Sequence, residues 1–148
     1  MTNPARDNLA KENVQRLITL TERLTERLAG DAQAFEARRP HEAAARLEET
    51  SHLANLYRHE TLRVRQDPAT VASAPRELRT RLERATEAFE SVLARHGRAL
   101  FAVKAVTEGV VRAIAEEVAN SRVAAAGYGP GARANAASTT AITLNRQA

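Results

Sequence analysis

The chain has 148 residues, 27% of them charged and 3% aromatic, and carries a net charge of +4. That length supports one domain with a real core, and an alanine- and leucine-rich chain with so few aromatics has the profile of long helices and coiled coils. Cysteine is absent, which excludes disulfides, zinc ribbons and thiol nucleophiles together.

Asn3-Pro4 reads as a helix start, a capping side chain followed by proline at the first helical position, with Asp7 in the first turn. The helix it opens carries Ala10, Val14, Leu17, Leu20, Leu24, Leu28, Ala32 and Phe35 on one stripe and spans about residues 4–38. Pro40 makes helical geometry unfavourable for Arg39 and ends it. A second helix restarts at Pro40 or His41 and runs to about residue 65. Its expected seam is Ala44, Leu47, Ser51, Ala54, Tyr57 and Val64, with Leu53, Leu56 and Leu62 widening the apolar face. So tight a connection requires antiparallel packing. Asp67-Pro68 and Ser73-Ala74-Pro75 bracket a connector with room for one short helical turn.

Pro75 opens the stretch around which the chain is organised, a helix over about residues 75–126. Its seam steps by four and three through Leu78, Leu82, Ala85, Phe89, Val92, His96, Ala99, Val103, Val106 and Val110, then by four to Ile114 and Val118. Gly127-Tyr128-Gly129-Pro130-Gly131 stops it. Residues 127–148 read as a flexible or extended tail: small, polar, without an acid, and with too little apolar surface to order themselves alone. Only residues 140–146 alternate as a strand laid onto something would, with Ile142 and Leu144 on one side. The fold class expected is all-α, an elongated antiparallel three-helix bundle or coiled coil with a very long third helix.

At 1.5 Å per residue the three helices measure roughly 52, 39 and 78 Å. The second helix turns near residue 70 and reaches back along the third only to about Phe101, from which level the first helix starts again and runs parallel to the third, toward and past Pro75. Nothing intramolecular is left to cover the third helix beyond about Ala102. Yet its far part is apolar, with Val103, Val106, Val110, Val111, Ile114, Val118 and Val123. Exposed apolar patches mark interaction sites. Self-association, a fold-back at Gly97 or Gly109, or a partner that supplies helices would each cover it.

Catalytic readings are poor. His41-Glu42 is half of a zincin motif, but Ala45 stands where the second ligand belongs. His52 and His59, with Glu60 nearby, read better as helix-surface histidines than as metal ligands. His96 reads as a polar residue fixing the register of a seam. The glycines of 127–131 follow a helix and not a strand, so they are not a dinucleotide loop. No enzyme, cofactor or metal site is expected. Arginines interleave with acids, giving local pairs such as Glu12–Arg16, Glu42–Arg46 and Glu77–Arg81 and not the one-signed stripe of a nucleic-acid binder. Arg58, Arg63, Arg65, Arg76, Arg79, Arg81 and Arg84 gather around the second connector, as a solvated hairpin tip or a dock for an acidic surface. The charged N-terminus has no signal core, and the longest apolar run, 99–103, is too short to span a bilayer, so a cytoplasmic protein without membrane insertion is expected.

The runs LANLYRHE at 53–60 and VTEGVVRAIAEE at 106–117, the tail start Tyr128-Gly129-Pro130-Gly131 and the ending Leu144-Asn145-Arg146 resemble the FlgN type of flagellar type III export chaperone. In particular they resemble its alphaproteobacterial branch of flagellar or basal-body proteins. The resemblance implies a cytosolic chaperone that keeps the terminal helices of hook–filament junction proteins from associating early. It would hand them to the export apparatus, with the export ATPase or export gate as a further partner. The client grips the C-terminal part of the chaperone in that family. By position this falls on Val103, Val106, Val110, Val111, Ile114 and Val118, with Tyr128 where the tail departs. The long alanine- and threonine-rich tail departs from the family pattern. A rival reading is a self-associating coiled coil, a homodimer with a structural or regulatory role in flagellar assembly. A third, an arginine-rich nucleic-acid regulator, predicts salt-dependent binding to duplex DNA.

Overall fold

The structure, a computed structural model, describes residues 3–127, and every regular element among them is α-helix. The helices are α1 (Pro4–Glu36), α2 (Pro40–Ala44), α3 (Leu47–Gln66), α4 (Ala69–Ala72) and α5 (Arg76–Ala126). Two units divide the chain, Met1–Val103 and Lys104–Ala148, with the division inside α5.

In the first unit, α1 begins as its sequence dictates: the Asn3 side chain accepts from the Ala5 N–H at 3.2 Å, and Pro4 takes the first helical position. It ends two residues short of the expected 38. Arg38 adopts φ 60°, the Arg39 N–H donates to the Ala34 carbonyl at 2.8 Å, and the turn closes as a Schellman motif with arginine where glycine usually sits.

The expected second helix is two. At Arg46 the backbone leaves helical geometry, with φ −110° and ψ 6°, and the Arg46 N–H bonds to Ala43 before α3 begins. The Arg46 guanidinium lies 3.6 Å from the carboxylate of Asp31, which is buried. A buried carboxylate draws the guanidinium more strongly than an exposed one, because the pair sits in a lower dielectric. Arg46 therefore meets Asp31 and not Glu42, which pairs instead with Arg39. Likewise Arg81 pairs with Glu22 at 4.0 Å and not with Glu77.

The inward stripe of α3 also differs from the expected seam. Leu47, Ser51 and Ala54 are exposed, while Thr50 is buried and Leu53, Tyr57 and Val64 are half-buried. A polar residue leads the stripe that faces the core, with its hydroxyl donating to the Arg46 carbonyl at 3.0 Å. A hydroxyl bonded within its own helix can be buried at little cost.

Contacts set the directions. Arg27 meets Glu49 while Asp31 meets Arg46, so α1 and α3 run antiparallel. Glu22 meets Arg81 and Glu36 meets Arg95, an equal step along both helices, so α1 runs parallel to the first part of α5. One core cluster holds Ala10, Val14, Ile18, Ala74 and Leu78, with Val71 and Leu82 against it. The other holds Leu24, Leu28 and Phe89, with Leu53, Tyr57 and Val92. Tyr57 and Phe89 place their ring centroids 4.7 Å apart. His96, on the α5 seam, meets the Phe35 ring edge-on at 5.5 Å, and Ala99 is the last buried side chain of α5.

In the second unit, α5 continues to Ala126, where the Gly127 N–H donates to the Val123 carbonyl at 3.1 Å. The helix passes Gly97 and Gly109 without interruption, so neither glycine is the fold-back point considered above. Tyr128 and the tail expected after Gly127 lie outside the described residues.

Candidate functional site

The end of burial along α5 defines the site. Leu78, Ala85, Phe89 and Ala99 are buried and Val103 is half-buried. Beyond it Val106, Val110, Val111, Ile114 and Val118 are 57%, 52%, 61%, 59% and 45% exposed. The same seam that fills the core of the first unit thus continues into the second with its side chains in water.

At 100° per residue, Val106, Val110, Ile114, Val118 and Val111 fall within an arc of about 140°. Glu117, three turns after Val106, falls inside that arc between Val106 and Val110. Sequence reasoning passed over it, although the eleven-residue step from Val106 to Glu117 is legible. The carboxylate is exposed and, among the described residues, forms no ion pair. Lys104 and Glu108 pair with each other at 3.8 Å outside the arc. Arg112 and Glu116 lie on the opposite side of the helix. The arrangement is an apolar stripe carrying one acid, with charges of both signs behind it. It offers burial to an amphipathic partner. Val103 opens the stripe; Val123, 71% exposed, lies outside the arc.

Other sequence-level candidates are dispersed. His41, His52 and His59 are all exposed. Among the described residues no group of three or more histidine, aspartate or glutamate side chains converges to hold a metal ion. The connector arginines are partly engaged: Arg58 donates to Asn55 at 2.6 Å, Arg63 to Glu60 at 3.3 Å, and Arg81 faces Glu22. A groove of about 490 Å³ between α1 and α3 is lined by Arg23, Arg27 and Arg46 and also by Glu26 and Glu49, so charges of both signs mix along it. Among the described residues no helix is long and apolar enough to cross a membrane.

Comparison with known proteins adds a relative over nearly the whole chain. The chain is 58% identical over 142 residues to the flagellar basal-body protein FlbY of Caulobacter vibrioides, covering 94% of this chain and 95% of that protein. No family model matches the chain. No solved structure matches it either.

Proposed function

We propose, on the premise that this chain belongs to the FlbY family of flagellar basal-body proteins, that it serves flagellar assembly by binding and not by catalysis. Its work is that of a cytosolic export chaperone. The stripe of Val106, Val110, Ile114 and Val118 receives the amphipathic terminal helices of hook–filament junction proteins and holds them until the type III export apparatus takes them. Export ATPase or gate would be the second contact in that sequence.

The observation that carries this reading is the exposure of a seam whose earlier turns form a core. Leaving each of those side chains in water costs about 25 cal/mol per Å² of apolar surface, which a partner helix recovers on docking. Ordering and desolvation offset much of the gain, giving affinities between micromolar and nanomolar. A pull-down of the two junction proteins, each with and without its terminal helices, tests the reading. Capture that requires those helices, and that drops more than tenfold in the Val110→Asp, Ile114→Asp double variant, supports both the activity and the site. Failure to capture either protein well above micromolar concentration, together with a tight dimer in sedimentation that this double variant dissolves, replaces the chaperone with a self-associating coiled coil.

A further inference from the structure

We propose that the face shared by α1 and α3 docks a helix of another protein, one that is amphipathic and acidic along its edges. This surface belongs to the first unit alone and uses none of the α5 stripe. It stands whether or not that stripe takes the partner proposed above.

Three observations carry it. First, the face is one continuous groove. Beside the groove of about 490 Å³ lies another of about 430 Å³, and Arg23 and Leu53 line both. On α1 the lining side chains Arg16, Leu20, Arg23 and Arg27 step by four, three and four. On α3 the steps from Glu49 through Leu53 and Leu56 to Glu60 are the same. Two antiparallel helices with that spacing make a seat for a further helix laid along them. From residue 15 to residue 30 of α1 the seat is about 22 Å long, four helical turns.

Second, part of its floor is apolar. Leu20 and Leu53 are half-buried and Leu56 is 42% exposed, and all three line the smaller groove. One exposed leucine is ordinary, but three in a single groove offer an incoming apolar side chain a place to be buried.

Third, the charges left over are cationic at that floor. The acids and arginines elsewhere in the groove close pairs within the chain: Arg27 with Glu49, Arg46 with Asp31, and Glu60 with Arg63. Arg16 and Arg23, on either side of Leu20, form no ion pair among the described residues. Glu26, also without a pair, lines only the larger groove. The two arginines stand about 10 Å apart along α1 and about 20° apart around it. Acids seven residues apart on a docked helix would meet both, with an apolar side chain between them over the leucines. The exposed stretch of α5 does not supply that pattern from a second copy, because no two of Glu108, Glu116 and Glu117 are seven residues apart.

The test takes the full chain and a synthetic peptide of about 18 residues, five helical turns, labelled for fluorescence anisotropy. The peptide carries leucine at heptad a and d positions and glutamate along both edges. Amide signals of residues 15–30 and 49–60 should shift on binding. Affinity should fall by about tenfold or more in the Arg16→Glu, Arg23→Glu double variant and in Leu56→Asp. All three residues are exposed, so these chains should keep their helical signal at 222 nm. The same peptide with lysine for every glutamate should bind the arginine-reversed variant more tightly than the unaltered chain. Equal affinity of the two peptides for the unaltered chain overturns the inference. So does binding that Val110→Asp, Ile114→Asp removes and the arginine reversal leaves intact, which assigns the peptide to α5. A dimer of the free chain that the arginine reversal dissolves also overturns it, by giving the groove to a second copy. None of these readouts uses a junction protein, so this proposal and the chaperone reading fail separately.

Discussion

Arg38 holds a backbone conformation that glycine adopts without strain. At φ 60° its Cβ crowds the following carbonyl, and the motif survives because the Arg39 and Arg38 N–H groups satisfy the Ala34 and Phe35 carbonyls. Arg38→Gly should therefore stabilise the protein by about 1 kcal/mol, read as an upward shift of the urea midpoint with an unchanged slope. Two titrating groups report on the same unit. Burial, with the charge of Glu90 adding to it, raises the Tyr57 hydroxyl above its ordinary value of 10.0, although nearby Arg65 opposes the shift. Its contribution is whole below that value and is lost as pH rises through the folded-state pKa, so stability should fall on the alkaline side, less steeply in Tyr57→Phe. Glu36 is shifted the other way, held down chiefly by the paired hydrogen bonds that Arg95 donates at 2.7 Å. Its contribution is present above 4.5, the ordinary value, and disappears as pH falls through the folded value; Glu36→Gln should flatten that acid limb of the stability profile.

The interruption at Arg46 shows how far an element can be read from its own residues. The stripe of α1 was legible because Ala10, Val14, Leu17, Leu24, Leu28 and Ala32 repeat at helical spacing and are buried. Thr21 and Asp31 are buried too, and neither was expected. The Thr21 hydroxyl donates to the Leu17 carbonyl at 2.7 Å, and Asp31 meets an arginine from beyond the next turn. Polarity hides such positions, because the partner that makes burial tolerable is visible only in three dimensions. The same blindness rotated the expected seam of α3 onto Leu47 and Ser51. In α5, where no buried polar group competes, the seam through Leu78, Leu82, Ala85, Phe89, Val92 and Ala99 was read in register. Its glycines make a prediction of their own. A Cβ built at Gly97 or Gly109 meets nothing within 4 Å, and both lie inside a continuous helix. Gly97→Ala and Gly109→Ala should each stabilise α5 by about 0.5–1 kcal/mol, raising helicity in thermal melts followed at 222 nm. A loss of stability on either change would mean that the glycine is used for close approach or bending.

At the scale of the whole molecule, α5 fills a core along its first turns and is exposed along its last, and substitutions should separate the two stretches. The exposure of Val106, Val110 and Ile114 follows from helix lengths and order together: α1 has 33 residues against 51 in α5, runs parallel to its first part and ends at Glu36, which meets Arg95. What the lengths do not give is the acid within the stripe, since Glu117 is invisible to a search for apolar repeats. Phe89 belongs to the core, 9% exposed and packed with Leu24, Leu28, Leu53, Tyr57 and Val92. Truncating it removes a ring that touches helices on both sides and leaves a cavity that three helices cannot fully collapse into, so Phe89→Ala should cost about 3–5 kcal/mol. Val110 and Ile114 belong to water, and exposed changes stay within about 0.5 kcal/mol each, plus a comparable helix-propensity penalty for aspartate. The expected result is a melting temperature that falls by several degrees or more in Phe89→Ala and by far less in Val110→Asp, Ile114→Asp. Partner capture should invert that order when measured below both melting temperatures: lost in the stable double variant, retained in the destabilised single one. If the double aspartate variant melted as early as Phe89→Ala, those side chains would be filling a core in solution, and the stripe would be no docking face.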